Sequence, residues 1–163
     1  MNQDIIVPII MGSKADLSHA QAIVKVLTAL GIHSELRIGS AHKAPLHVLR
    51  ILEHYEADPR PKVYITIAGR SNALSGAVDA RVSAPVIACP PYSDSFGGAD
   101  IFSSIRTPSG VAPALVLDPD NAALLAAKIL ALGDKALAER VRQAQEAGRN
   151  KVIDADAWLR TLS

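Results

Sequence analysis

Cysteine is almost absent from this chain. Cys89 is the only one among 163 residues, so no disulfide can form within the chain, no multi-cysteine metal site can be built, and a reducing compartment fits. Aromatic residues are scarce too. Three Tyr, two Phe and one Trp are too few and too scattered for the base-stacking platform of a single-strand nucleic-acid binder. An excess of one charge sign is also missing: 17 Lys and Arg against 16 Asp and Glu leave a formal net charge of +1, whereas binders of the phosphate backbone gather a clear basic excess on one face. No apolar run reaches transmembrane length, and Met1-Asn2-Gln3-Asp4 lacks the basic start and apolar stretch of a signal peptide. These absences predict a cytoplasmic protein with neither a nucleic-acid nor a membrane partner.

What is present is a globular composition, 49% apolar and 20% charged, in a chain long enough to bury about two-thirds of its unfolded surface. A single domain over 1–163 is expected, with a core over about 4–132 and a helical tail over about 133–163. Ile5 to Met11 is a nearly continuous apolar run, the pattern of a strand buried on both faces, although Pro8 removes an amide donor from it. From Asp16 the period changes, and Leu17, Ala20, Ile23, Val24 and Leu27 share one helical face before Gly31. Ser34 to Gly39 alternates as an edge strand does, and Pro45 to Ala57 reads as a helix. Lys62 to Gly69 is a third strand followed by a helix over Asn72 to Val82. Pro85 to Cys89 and Ala114 to Leu117 supply two more strands, and Asn121 to Leu132 a helix with Asp120 as its N-cap.

Strands alternating with helices predict an α/β fold, a three-layer αβα sandwich around a parallel sheet. If the alternating second strand is the edge, the order is 2-1-3-4-5, the flavodoxin-like arrangement, with its topological switch point between strands 1 and 3. The tail reads as a charged helix plus a second short helix over Asp154 to Leu162. Its apolar positions, Val152, Ile153, Trp158, Leu159 and Leu162, either cover the sheet of the same subunit or dock on a neighbouring one.

Three polar loops follow the first three strands: Gly12-Ser13-Lys14-Ala15-Asp16, Ser40-Ala41-His42-Lys43-Ala44-Pro45 and Gly69-Arg70-Ser71-Asn72. The first has neither P-loop nor dinucleotide-turn spacing, so ATP and NAD are not implied. Its Ser13 can bond phosphate and its Asp16 can accept from ribose hydroxyls; helix capping is the plainer reading of both. Hydroxyls and a cation at a helix start suit an anion, and a neutral His42 imidazole can move a proton. Taken singly, His42 could be a surface residue, Lys43 a solvated charge, Arg70 an ion-pair partner and Asn72 an N-cap. Their convergence at the predicted switch point favours a site for a small phosphorylated metabolite. A fourth loop, Cys89 to Gly98, carries rigid prolines and could form a wall or lid. Cys89 reads as a buried strand-end residue, because no histidine adjoins it in sequence to activate it.

Together, Met11-Gly12-Ser13, Asp16, Ser40-Ala41-His42-Lys43, Ala68-Gly69-Arg70-Ser71-Asn72-Ala73-Leu74, Cys89-Pro90-Pro91 and Ser103-Ser104-Ile105-Arg106-Thr107-Pro108-Ser109-Gly110 resemble the PurE family of purine biosynthesis, specifically its class II branch, the 5-aminoimidazole ribonucleotide (AIR) carboxylases. The resemblance runs from the first strand to about Leu132. Class I members, mutases that convert N5-carboxy-AIR to 4-carboxy-AIR, typically carry Arg after the loop histidine and a Gly-Gly-Ala-Ala-His-Leu-Pro-Gly type third loop, where this chain has Lys43 and Gly69-Arg70-Ser71-Asn72. Pro8 and Thr107 stand where the family has apolar residues. The resemblance implies AIR and carbon dioxide as substrates, no ATP, biotin or metal, and a homo-oligomer, an octamer. It further implies that Ser13, Asp16, Ser40 and Lys43 hold the substrate, that Gly69, Arg70 and Ser71 line the third-loop side, and that His42 moves the proton while Lys43 and Arg70 stabilise the new carboxylate.

Overall fold

The computed structural model describes residues 2–162. Five parallel strands lie in the order β2-β1-β3-β4-β5, as the sequence predicts: β1 (Asn2–Met11), β2 (Ile32–Ile38), β3 (Tyr64–Ile67), β4 (Val86–Ala88) and β5 (Ala114–Leu115). Period-two alternation divides β1 between two cores. Val7, Ile9 and Met11 pack with α1 (Leu17–Ala29), α5 (Pro119–Leu130) and the start of α6 (Lys135–Arg160). Ile6 and Ile10 face α2 (Pro45–Glu56) and α3 (Ala73–Asp79) on the other side, which completes the three layers; a short α4 (Phe102–Ile105) lies between β4 and β5 in the chain. In α5 the buried side chains at 122, 123, 126 and 127 are all alanine, and their small size lets the helix lie close against the sheet.

Pro8 sits in β1 opposite Glu35. The amides of Ile6 and Gly12 donate to Pro61 and Ile67, on the β3 side, so the two-residue period turns the Pro8 nitrogen the same way. It falls between the isolated Ile6–Lys62 bridge and the β1–β3 ladder that begins at Ile9, and the missing donor interrupts that ladder at its start. Thr107, the other departure from the family pattern, donates its hydroxyl to the Val111 carbonyl at 2.7 Å.

Two boundaries differ from the sequence expectation for identifiable reasons. Asp118, not Asp120, caps α5: its carboxylate accepts from the Asn121 amide at 2.9 Å, because Pro119 takes the first helical position, where a missing amide costs nothing. The tail is one 26-residue helix, about 39 Å long, rather than a helix followed by a second one from Asp154. No proline interrupts it, and a lone exposed Gly148 costs only about 1 kcal/mol relative to alanine. Asp134 caps it and the Arg140 guanidinium donates to the Leu30 carbonyl, while Leu137 and Val141 are its buried residues. The apolar tail positions do not cover the sheet of their own subunit: Val152, Ile153, Trp158, Leu159 and Leu162 are all 58–72% exposed. Among the described residues, no helix is long and apolar enough to cross a membrane.

Candidate active site

Hydrogen bonds between strand ends bring the loops side by side. The Gly39 amide donates to Met11 and the Gly12 amide to Ile67, each at 2.8 Å, so the chain leaves β2, β1 and β3 at adjacent points on one edge of the sheet. Gly39 is also a close-approach position. A Cβ there would stand 3.1 Å from Val48 Cγ2 and 3.3 Å from Ile51 Cδ1, both on buried side chains of α2. Glycine thus lets β2 and α2 meet tightly and fixes the take-off of the loop that follows.

A cavity of about 620 Å³ opens at this edge, and Ser13, Asp16, Ser40, His42, Lys43, Gly69, Arg70 and Ser71 all line it. The residues named from sequence for substrate binding and proton transfer are therefore brought to one place. Lys14 and Asn72, members of the same loops, do not line it. The fourth loop contributes Pro91, Ser93 and Ser95, with Pro91 Cγ 3.5 Å from where a Gly69 Cβ would stand; it is a wall of the cavity.

In the first loop both plain capping and availability to a ligand hold at once. Ser13 Oγ accepts from the Ala15 amide at 3.2 Å, and Asp16 Oδ2 accepts from the Ser13 amide at 2.9 Å and from its hydroxyl at 3.2 Å, a capping box that rigidifies the turn. In the second loop, Ser40 Oγ accepts from the Lys43 amide at 3.2 Å and its carbonyl from the Ala44 amide at 2.9 Å, which closes a tight turn with His42 and Lys43 exposed at its tip. Among the described residues, neither Lys43 nor Arg70 forms a salt bridge. Two unpaired cations facing one cavity with a single lining carboxylate, Asp16, suit an anionic ligand.

The third loop is held from below. Arg70 has φ of +59°, the left-handed region that non-glycine residues seldom occupy. Asn72 caps α3 through Oδ1, as one sequence reading had it, but it is also buried and hydrogen-bonded on every side, a role the sequence did not reveal.

Cys89 is fully buried, as expected, yet the reason given from sequence was incomplete. His19 Nε2, 70 positions away in sequence, lies 3.2 Å from its sulfur. The contact does not make a nucleophile: burial, with the Asp118 carboxylate adding to it, pushes the thiol up to about 12. Burial likewise lowers the imidazole of His19, against the pull of Asp16 and Asp118. Among the described residues, no three His, Cys, Asp or Glu side chains gather as a metal site would require.

The decisive comparison is with protein families. The family model described as AIR carboxylase matches residues 6–151. The chain belongs to the AIR carboxylase family. A protein of Treponema denticola named phosphoribosylaminoimidazole carboxylase is 56% identical over 155 residues, covering 95% of this chain and 98% of that one. One of Archaeoglobus fulgidus with the same name is 58% identical over 152 residues, 93% of this chain and 83% of the other. The crystal structure of Treponema denticola PurE superposes with a TM-score of 0.94 at 56% identity, over 95% of this chain and 98% of that chain, and so agrees with the fold described above.

Proposed function

We propose that this member of the AIR carboxylase family is an ATP-independent carboxy-lyase that joins AIR to carbon dioxide, reversibly, to form 4-carboxy-AIR in purine biosynthesis. The observation that carries the reading is that the family match, residues 6–151, contains every residue lining the cavity. Lys43 after His42, and Arg70-Ser71-Asn72 in the third loop, support the carbon-dioxide-using branch over the mutase.

The chemistry asks little of the protein beyond placement. The aminoimidazole is an enamine-like nucleophile, so its C4 can attack carbon dioxide with no ATP, biotin or metal. Holding the two together supplies about 7–11 kcal/mol of the barrier in favourable cases. Ser13, Asp16 and Ser40 hold the phosphoribosyl part, with Gly69 and Ser71 on the opposite wall. The new C4–carbon bond leaves a carboxylate and an sp3 carbon that still carries hydrogen. His42, neutral, takes that proton; the C4–H electron pair returns to the ring and restores aromaticity, and the protonated imidazole gives the proton back in reverse. Lys43 and Arg70 stabilise the carboxylate as its charge develops.

The reading includes a homo-oligomer, an octamer, for which the exposed tail residues Val152, Ile153, Trp158, Leu159 and Leu162 supply apolar surface, and a cytoplasmic location. Purified AIR with carbon dioxide and, separately, N5-carboxy-AIR are the substrates that test it. Turnover of AIR with carbon dioxide is expected, and efficient use of N5-carboxy-AIR alone would overturn the assignment in favour of the mutase.

A further inference from the structure

The buried polar side chains of the described chain are Thr66, Asn72, Ser75 and Ser104, and all four belong to one hydrogen-bonded chain beneath the third loop. Thr66 Oγ1 lies 2.8 Å from Ser75 Oγ. The Ser75 hydroxyl and amide reach Asn72 Oδ1 at 2.8 and 3.2 Å, and Asn72 Nδ2 donates to Ser104 Oγ at 2.9 Å. Polar groups withdrawn from water in this way are tolerated when every member is satisfied, and they then fix one geometry.

The residue before Ser104, Ser103, carries that geometry to the cavity. Its hydroxyl accepts from the Asn72 amide at 2.9 Å and lies within donating distance of the Arg70 carbonyl, 2.9 Å, and the Asp100 carbonyl, 2.8 Å. Adjacent serines thus grip Asn72 by its backbone and by its side chain, and Ser103 pins the peptide on the far side of Ser71 as well. The residue so pinned is Arg70, in its left-handed conformation. Such backbone persists only where the surroundings over-determine it, and the Ser103 hydroxyl is the side-chain group in hydrogen-bond reach of its carbonyl among the described residues.

We propose that Ser103 is a positioning residue of the active site, whose hydroxyl holds the Arg70 backbone and thereby sets where the Arg70 guanidinium meets the carboxylate of the product. The proposal rests on the carboxylase reading for its kinetic consequence and on geometry alone for its structural one. Ser103 is exposed, so Ser103→Ala leaves the core intact, and Ser103→Thr keeps the hydroxyl.

Crystal structures of the parent and of both variants, the KM for 4-carboxy-AIR in the decarboxylation direction, and calorimetric AIR affinity form the test. In Ser103→Ala, Arg70 leaves the left-handed region and the KM for 4-carboxy-AIR rises about tenfold, as expected from one lost hydrogen bond's worth of positioning, while AIR affinity holds. Ser103→Thr restores both. An Arg70 backbone unmoved in Ser103→Ala, or an equal loss of affinity for AIR and for 4-carboxy-AIR, would overturn the proposal. A parent enzyme that turns over no AIR would overturn the functional reading instead, and the Arg70 geometry would still decide this one.

Discussion

Replacing Asn72 with alanine probes the link between core and site most sharply. The substitution removes the cap of α3, in which Oδ1 accepts from the Ser75 amide, together with the bonds to Ser75 Oγ and Ser104 Oγ. Loss of an N-cap costs about 0.5–2 kcal/mol. A buried amide left without a partner costs about 1–3 kcal/mol. These contributions overlap at Ser75, so the expected total is about 1–4 kcal/mol, below their sum. For a chain of this length each kcal/mol lowers Tm by about 2–4 °C, which predicts a fall of about 2–16 °C. Thermal unfolding of parent and variant at one fixed protein concentration, followed by circular dichroism, reads it directly. A Tm within about 1 °C of the parent would correspond to less than about 0.5 kcal/mol and would refute the view that this network is a fully satisfied unit.

Other expectations follow from single groups. His42→Asn should keep AIR affinity by calorimetry and lose about 10²–10⁴-fold in turnover, the contribution of one general acid–base; near-normal turnover would remove the proton role. Cys89, with its thiol pushed up to about 12, should resist a thiol reagent at pH 8 in the folded protein and react once unfolded, since only about one in ten thousand would be ionised. The same shift has a sign in stability. Below about pH 9 the thiol is protonated in both states and its contribution is intact, whereas from there toward about 12 only the unfolded thiol ionises, so stability falls by about 1.4 kcal/mol per pH unit. Cys89→Ala should flatten that slope in denaturant titrations, and an unchanged slope would contradict the assignment. Gly39→Ala, which crowds Val48 and Ile51, should destabilise by about 1–3 kcal/mol; a Tm equal to the parent's would show that α2 yields freely.

Local pattern carried much of the architecture. The alternating Ser34–Gly39 segment marked β2 as the sheet edge, and with it the strand order and the switch point. Glycines and polar residues closing three strands then placed His42, Lys43 and Arg70 on one side of the molecule. What stayed hidden depends on contacts between distant positions. His19 meets Cys89 across 70 residues, and Ser103 reaches back 33 to Arg70; neither spacing has any period to betray it. The left-handed Arg70 was equally invisible, because its conformation is imposed by that distant hydroxyl and not by its own side chain. The continuity of α6 was missed for another reason: a charged, exposed helix buries too little after Val141 for an apolar stripe to trace it. The start of α5 was misplaced although Pro119 marks it, through the preference of proline for the first helical position: the choice of Asp120 as N-cap passed that residue over.

The central claim is tested most directly by following ¹⁴C-labelled carbon dioxide into product from purified AIR, with ATP left out. The account predicts label at the C4 carboxyl of 4-carboxy-AIR, released again when the reaction is run in reverse. No incorporation from AIR, with N5-carboxy-AIR converted under the same conditions, would contradict it.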